Sequence, residues 1–540
     1  METSDNKEIR EKGVFTRDRA ICILGILLLF VAVSVLRYKI RPVTDDAFIT
    51  YRYARNLIRG KGLVYNYGER VLGTTTPLYT LVISVAMILG VAPWTASLVL
   101  DCFLVTGFLF LILQFGEMTG NRAWALLTVT FMFLEPYSTV PIGGMETGLF
   151  IFLVYFSFYL SAKGKRRGAV AFATLSVFTR PEGILALILV LAPALFDRKR
   201  KKIREDWLRI ILIAAIPLLL AAVFMKSYYG SYVLQSMKAK HALSNAGGTK
   251  NFFYRGFLKK QFFPYDRFQI KGVLEWIGFC IILIWYAPLR NFVLWLIFYI
   301  VFMKIGKAPT FNRYYTPLYP IQWMGCSMAL VSFVRLSLGL IQKKIRIPER
   351  IPIQKLMKNT VFVYFLCFLI FLICCYSYVC TFFDFYYWIY FSDRDAVDCK
   401  KYEKAGEWIR LHSSPGEEVV AAEIGYIGYF SERPIYDVMG LVSPEAVKYL
   451  GKTSIWEAAM KRKSPFVVYP FWLDQFTALP FSFTQTYEIA GSWVSRKELT
   501  VVFQRKEGKP GEKDTEQDNF LIGMDPRRSI GEYVFMKKPY

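Results

Sequence analysis

Histidine is almost missing from this chain: His241 and His412 are the only two in 540 residues. That scarcity argues against a His-rich metal centre and against a Ser-His-Asp hydrolase, which need imidazole at defined places. Carboxylates are left as the candidates for base chemistry. Of nine cysteines, eight (Cys22, Cys102, Cys280, Cys326, Cys367, Cys374, Cys375 and Cys380) sit in apolar runs, and only Cys399 looks solvent-facing. Neither a disulfide framework nor a zinc site is expected from such spacing. Acidic residues are also few, 42 against 67 Lys and Arg. The resulting charge of +25 does not imply a nucleic-acid partner, because basic residues also crowd the cytoplasmic loops of membrane proteins. No A-x-A pattern follows the first apolar run, so a cleavable signal peptide is not expected.

What is abundant is apolar surface. Hydrophobic residues make up 54% and aromatics 17% of the chain, with a mean hydropathy of +0.32, too greasy for a solvated exterior. Segments of roughly 17 to 25 apolar residues are long enough to cross a bilayer. Such spans are expected near 20–36, 95–115, 123–140, 148–162, 208–225, 272–289, 291–305, 317–339 and 359–383. The densest basic clusters (Lys7 to Arg19, Lys163 to Arg167, Asp197 to Arg204 and Lys343 to Lys358) are assigned to the cytoplasm. Parity then makes 169–196 a hairpin whose apex is Thr179-Arg180-Pro181-Glu182-Gly183, near the outer half of the bilayer, and makes 77–91 re-entrant or interfacial.

The expected fold is an α-helical polytopic membrane protein. Residues 1–19 form a cytoplasmic segment, 20–383 a transmembrane domain of about eleven crossings plus a re-entrant helix, with a first external loop at 37–76. Residues 384–540 form a small extracytoplasmic α/β domain. Its helix is expected at 402–412, its strands near 418–422, 465–469 and 499–504, and a linker at 506–518. The many Arg and Lys of 37–70 break the positive-inside rule, which long loops follow poorly.

Polar residues at the outer face carry the candidate chemistry. Asp45 and Asp46 stand side by side just past the first span, followed by Arg52 and Arg55. Adjacent like charges raise one carboxyl pKa while nearby arginines lower the other, a setting for a general base; an acidic helix start capped by Thr44 or Asp45 is the plainer reading. Glu146 follows Gly143-Gly144-Met145, Arg180 and Glu182 lie at the hairpin apex, and Arg313-Tyr314-Tyr315 precedes Pro317. Charges at membrane depth are costly to leave unpaired and so are functional suspects. Pairing of Arg180 with Glu146 or Glu182 to hold helices together, and interfacial anchoring by Arg313, explain them equally well.

The run Asp45-Asp46-Ala47-Phe48-Ile49, with Arg52-Tyr53-Ala54-Arg55-Asn56-Leu57, Gly62-Leu63-Val64-Tyr65-Asn66, Gly68-Glu69 and Thr76-Pro77-Leu78, is followed by Gly144-Met145-Glu146-Thr147, Arg180-Pro181-Glu182-Gly183 and Arg313-Tyr314. This series resembles polytopic GT-C glycosyltransferases, and is most similar to the branch that includes the mycobacterial terminal arabinofuranosyltransferases. The resemblance covers about 20–340, and weakly the tail through Gly425 to Tyr429 and Asp437 to Leu441. It implies a polyprenyl-phosphate sugar donor, a cell-envelope glycan, lipid or protein acceptor on the outer face, and an inverting displacement. Asp45 or Asp46 would be the base. Arg180 and Arg313, with Tyr314 beside them and Arg52 and Arg55 in reserve, would hold the donor phosphate, and Glu146 and Glu182 would be the second acidic groups. No cofactor is required; a divalent metal at Glu146 is a further option, although no D-x-D pattern accompanies it. The tail could close the pocket with Tyr426 and Tyr429 stacking on sugar rings, or those tyrosines could simply pack in a core. A flippase for lipid-linked saccharides is the alternative function, although no inverted repeat is visible. A third reading makes the spans a mere anchor for a binding tail.

Overall fold

The computed structural model describes residues 43–134, 143–196, 201–243, 270–306, 314–345, 359–374, 400–450 and 454–472. It also describes the tail segments 477–479, 481–495, 498–506, 520–523 and 534–537, and the isolated positions 25, 28, 31 and 34. Most of the expected first span, Arg313, and nearly all of the expected linker lie outside the described residues.

The first helix, α1 (Asp45–Ile58), starts with two carboxylates in its first turn, where the positive end of the helix dipole favours them. Thr44 occupies the cap position without a side-chain capping bond; its backbone N–H donates instead to Gly143 O at 3.1 Å. Prolines open α2 (Pro77–Ile88) and α3 (Pro93–Met118), positions at which the missing N–H costs nothing. The 12 residues of α2 reach about 18 Å, too short for the roughly 30 Å hydrocarbon core. With Leu81, Val85 and Ile88 exposed, α2 suits the bilayer interface.

Next come α4 (Arg122–Leu134), α5 (Thr147–Ala162), α6 (Arg166–Thr179), α7 (Gly183–Phe196), α8 (Lys201–Tyr229) and α9 (Gln235–Leu243). After them lie α10 (Ile270–Trp285), α11 (Arg290–Ile305), α12 (Tyr319–Ile345) and α13 (Thr360–Cys374). Helices α6 and α7 are joined by residues 180–182 alone. Among the described residues four stretches are long and apolar enough to cross a membrane, Pro93–Met118, Trp207–Tyr229, Ala287–Ile305 and Tyr319–Ile341. Trp207–Tyr229 is only 11% buried at a hydropathy of 2.6; a helix apolar on every side with so little protein cover needs lipid around it. The chain is a multi-pass membrane protein. Its interior is held by close backbone approach between α10 and α12, where a Cβ on Gly278 would fall on the Gly325 backbone. Small residues at such crossings let membrane helices pack where no hydrophobic force draws them together.

The tail contains α14 (Lys400–His412), β1 (Val419–Ala421), α15 (Gly425–Ser431), β2 (Ile435–Asp437), α16 (Ile455–Arg462), β3 (Phe466–Trp472), β4 (Thr477–Leu479) and α17 (Phe481–Thr486). Strands β5 (Tyr487–Ser495), β6 (Glu498–Arg505), β7 (Phe520–Gly523) and β8 (Val534–Lys537) complete it. Five strands form a sheet in the order β2-β1-β3-β6-β5, and β4-β7-β8 form a second. The pairs β1-β2 and β1-β3 are parallel, whereas β3-β6 and β6-β5 are antiparallel. The tail shares its core with the membrane part: Phe48 of α1 lies 3.8 Å from the Tyr426 ring and 5.3 Å from that of Tyr429. These tyrosines pack in that core.

Gly278→Val should lower thermal stability in detergent by at least about 1–3 kcal/mol, the usual cost of overpacking. An unchanged melting temperature would mean that α10 and α12 do not touch there.

Candidate active site

Asp45 and Asp46 are neighbours on α1, point about 100° apart and meet different surroundings. The Asp45 carboxylate turns to the tail and accepts the backbone N–H of Gly425 at 2.7 Å and of Tyr426 at 2.8 Å, capping the start of α15. The fit is tight enough that a Cβ on Gly425 would collide with the Asp45 carbonyl. Asp46 lines a cavity with Ile49 and Thr50, three and four residues on along the same helix face.

Arg52 and Arg55 also face the tail. The Arg52 guanidinium, 4% exposed, donates to Tyr65 O at 2.9 Å, Arg433 O at 2.7 Å, Asn66 Oδ1 at 3.2 Å and Gly428 O. Arg55 pairs with Glu432 at 3.2 Å and lies over the Tyr429 ring at 4.1 Å. Arg59 joins the same carboxylate at 3.0 Å. Burial alone would raise the Glu432 pKa, but the Arg59 hydrogen bond and the two guanidinium charges outweigh it and hold the carboxyl below its ordinary value. Neither Arg52 nor Arg55, expected as phosphate ligands in reserve, is among the cavity's lining residues.

The cavity, of roughly 190 Å³, is assembled from several separate parts of the chain. The 143–146 turn brings in Met145 and Glu146. Gly144 there adopts φ +80°, a backbone that glycine tolerates best, and its carbonyl accepts both Tyr51 Oη–H at 3.1 Å and Tyr79 Oη–H at 3.0 Å. The α6–α7 turn contributes Arg180, Pro181 and Glu182. Arg180, 3% exposed, is 3.1 Å from Glu182 and 4.0 Å from Glu146, with its guanidinium over the Tyr314 ring at 5.1 Å. The third wall is α9, with Ser236, Lys240 and His241; Lys240 Nζ donates to Tyr314 Oη at 3.1 Å. Thr74, Thr75 and Thr76, from the loop between α1 and α2, also line it, Thr74 and Thr76 sharing a hydroxyl contact at 3.0 Å.

Leu441 of the tail reaches the same space. Its loop is wound around Asp437, whose carboxylate accepts the N–H of Met439 at 2.8 Å, of Leu441 and of Val442 at 3.1 Å. Gln235 Nε2, at the start of α9, donates to Gly440 O in this loop at 2.9 Å. Burial pushes the Asp437 carboxyl up to about 6 although these amides favour its charged form.

Asp46, Glu146, Glu182, Arg180 and Tyr314 are therefore brought together, Asp45, Arg52 and Arg55 are directed elsewhere, and Arg313 lies outside the described residues. Sequence reasoning missed Ser236, Lys240 and His241. Their one signal was a basic Lys238-Ala239-Lys240-His241 run in a segment expected to be external, against the positive-inside rule. Among the described residues no three His, Cys, Asp or Glu side chains are grouped to hold a metal ion, and Arg180 already engages both glutamates.

Two solved structures share this fold. The crystal structure of ArnT from Cupriavidus metallidurans bound to undecaprenyl phosphate matches 88% of this chain and 98% of its own, at 12% identity and a TM-score of 0.51. The archaeal oligosaccharyltransferase AglB from Archaeoglobus fulgidus, in complex with an inhibitory peptide and a dolichol-phosphate, matches 82% of this chain and 69% of its own, at 12% identity and a TM-score of 0.51. In sequence, the terminal beta-(1->2)-arabinofuranosyltransferase of Mycobacterium tuberculosis is 30% identical over 231 residues, covering 37% of this chain and 35% of that protein. Its namesake in Corynebacterium glutamicum is 28% identical over 246 residues, covering 38% and 34%. The matched stretch thus spans about a third of these relatives. Residues 390–514 match a family described as a domain of unknown function (DUF8728).

Asp437 gives a pH test of the loop that carries Leu441. A carboxyl held above its usual value near 3.8 lends stability that is complete below that value and lost as the pH climbs through 6, about 3 kcal/mol at most. Relative to Asp437→Asn, the wild type should therefore be more stable at pH 5 than at pH 7 in thermal melts. A difference independent of pH would show that Asp437 does not titrate in this range.

Proposed function

We propose that this protein is a membrane glycosyltransferase that moves a sugar from a polyprenyl-phosphate donor to a cell-envelope glycan, lipid or protein, with Asp46 as the general base. The observation that carries the reading is the cavity itself: Asp46 lines it together with Lys240 and His241, Leu441 of the tail reaches the same space, and the fold around it is shared with ArnT and AglB. The names of the sequence relatives favour a furanosyl pentose as the sugar. The undecaprenyl phosphate of the ArnT structure and the dolichol-phosphate of the AglB structure favour a lipid-phosphate donor. We place the cavity and the tail on the outer face and the N-terminus in the cytoplasm, with about eleven crossings, because this topology puts the densest basic clusters inside.

In the proposed reaction Asp46 accepts the proton of an acceptor hydroxyl as its oxygen bonds to the anomeric carbon. The bond from that carbon to the phosphate oxygen breaks, and its electron pair leaves with the lipid phosphate. The threonine hydroxyls at Thr50, Thr74 and Thr76 offer hydrogen bonds to sugar hydroxyls beside Asp46. Arg180 holds Glu146 and Glu182 in place. A single displacement of this kind inverts the anomeric centre.

In purified protein supplied with polyprenyl-phosphate sugars and envelope acceptors, Asp46→Asn should cut transfer by about 10²- to 10⁴-fold, the usual worth of a positioned base. Asp45→Asn should act mainly on stability. Equal loss of turnover in both, with native melting curves, would remove the distinction drawn between them. NMR of the product should show inversion relative to the donor; retention would require an enzyme nucleophile and end the base assignment. Chelation with EDTA should leave turnover unchanged. Loss restored by added Mg²⁺ or Mn²⁺ would give the cavity carboxylates to a cation.

A further inference from the structure

Arg180 is the first cation one would offer to a phosphate, and its surroundings count against it. Its guanidinium is buried between Glu182 at 3.1 Å and Glu146 at 4.0 Å. With both glutamates ionised this trio carries a formal charge of −1, and Asp46 lines the same cavity. An incoming phosphate meets repulsion there that the low local dielectric strengthens.

The α9 wall has the opposite character. Ser236 sits one residue inside the start of the helix, lines the cavity and is 2% exposed. Its Oγ has no hydrogen-bond partner among the described residues, a costly state for a buried hydroxyl unless a ligand completes it. Lys240, four residues on and so on the same helix face, lines the cavity and donates to Tyr314 Oη at 3.1 Å. Among the described residues it forms no ion pair. His241 lines the same space. The helix is fixed in place by Gln235, whose N–H donates to Leu72 O at 3.1 Å and whose side chain donates to Gly440 O at 2.9 Å.

We propose that Ser236, Lys240 and His241 form the anion subsite of this cavity and hold the phosphate of the lipid-linked donor, while Arg180 is a positioning residue for Glu146 and Glu182. The inference rests on the glycosyltransferase reading above and deepens it. As the sugar departs, the phosphate passes from a singly charged diester to a monoester that takes up a second negative charge. An ammonium and two further hydrogen-bond donors lining that space stabilise the charge where it develops.

The test measures binding to the full-length protein in lipid nanodiscs, apart from turnover. The probes are undecaprenyl phosphate, uncharged undecaprenol and inorganic phosphate, each with wild type, Ser236→Ala, Lys240→Ala, Lys240→Arg and Asp46→Asn. Wild type should prefer undecaprenyl phosphate to undecaprenol. Lys240→Ala should weaken that binding by about ten-fold or more, the scale of a lost charge-assisted contact, and Ser236→Ala by less. Lys240→Arg should restore most of it, and Asp46→Asn should bind undiminished. Full affinity in Lys240→Ala would overturn the subsite while leaving the donor reading intact. Should Lys240→Ala melt early, the comparison passes to Ser236→Ala, where unchanged affinity overturns the subsite equally. Equal binding of undecaprenol and undecaprenyl phosphate by wild type would instead sink the lipid-phosphate donor, and the subsite with it. Inorganic phosphate that displaces the lipid only at the lipid's own Lys240-dependent site supports the assignment; binding of inorganic phosphate alone overturns its lipid part.

Discussion

The guanidinium of Arg52 is buried at the seam between α1 and the tail, and the placement of both depends on it. A buried cation is tolerated only when its donors are used. Here they are shared among Tyr65, Asn66, Gly428 and Arg433, so one side chain ties α1, the loop after it and two points of the tail. A Cβ on Gly428 would collide with the Tyr65 hydroxyl and crowd Arg52, which is why glycine stands there. Asp45 at one end of α1 and Arg55 and Arg59 further along add charge-assisted contacts to the same seam. The tail is thus part of one body with the membrane domain, and its loop at Leu441 can serve as a wall of the cavity.

That seam also orders the cavity's electrostatics. The carboxylates of Asp46, Glu146 and Glu182 come from α1, the 143–146 turn and the α6–α7 turn, whereas Lys240 and His241 come from α9. Gathering carboxylates and an ammonium in one cavity costs stability, because each gives up water on burial. The protein holds it through backbone contacts that do not involve the charged atoms. Gly144 O receives two tyrosine hydroxyls, and Gln235 bridges Leu72 and Gly440.

Hydropathy made much of the fold legible. Membrane helices follow from length and apolar composition, because lipid leaves few other solutions for the backbone, and the charged Arg180-Pro181-Glu182 break could only be a turn. In the tail, helix 402–412 and the strands near 418–422, 465–469 and 499–504 were readable from alternation, and they correspond to α14, β1, β3 and β6. Strand β2, three residues long, falls where no strand was expected. Within the site, the grouping of Glu146, Glu182 and Arg180 was suggested by charge at membrane depth. The division between Asp45 and Asp46 was not readable, since Asp45 meets partners 380 and 381 residues away and no local spacing encodes that. Lys240 and His241 escaped because scarcity of histidine argues against a His-rich metal centre and says nothing about a single imidazole beside a lysine on one cavity wall.

Two adjacent aspartates with separate tasks place a mechanical constraint on α1. Asp45 is held by two amides of α15, and the next side chain is then fixed about 100° away around the helix. A rotation of α1 that freed Asp45 would turn Asp46, together with Thr50, away from the cavity. Docking of the tail and aiming of the proposed base are consequently one event. The tail need not touch a substrate to matter for transfer, because its hold on Asp45 and Arg52 sets where Asp46 points.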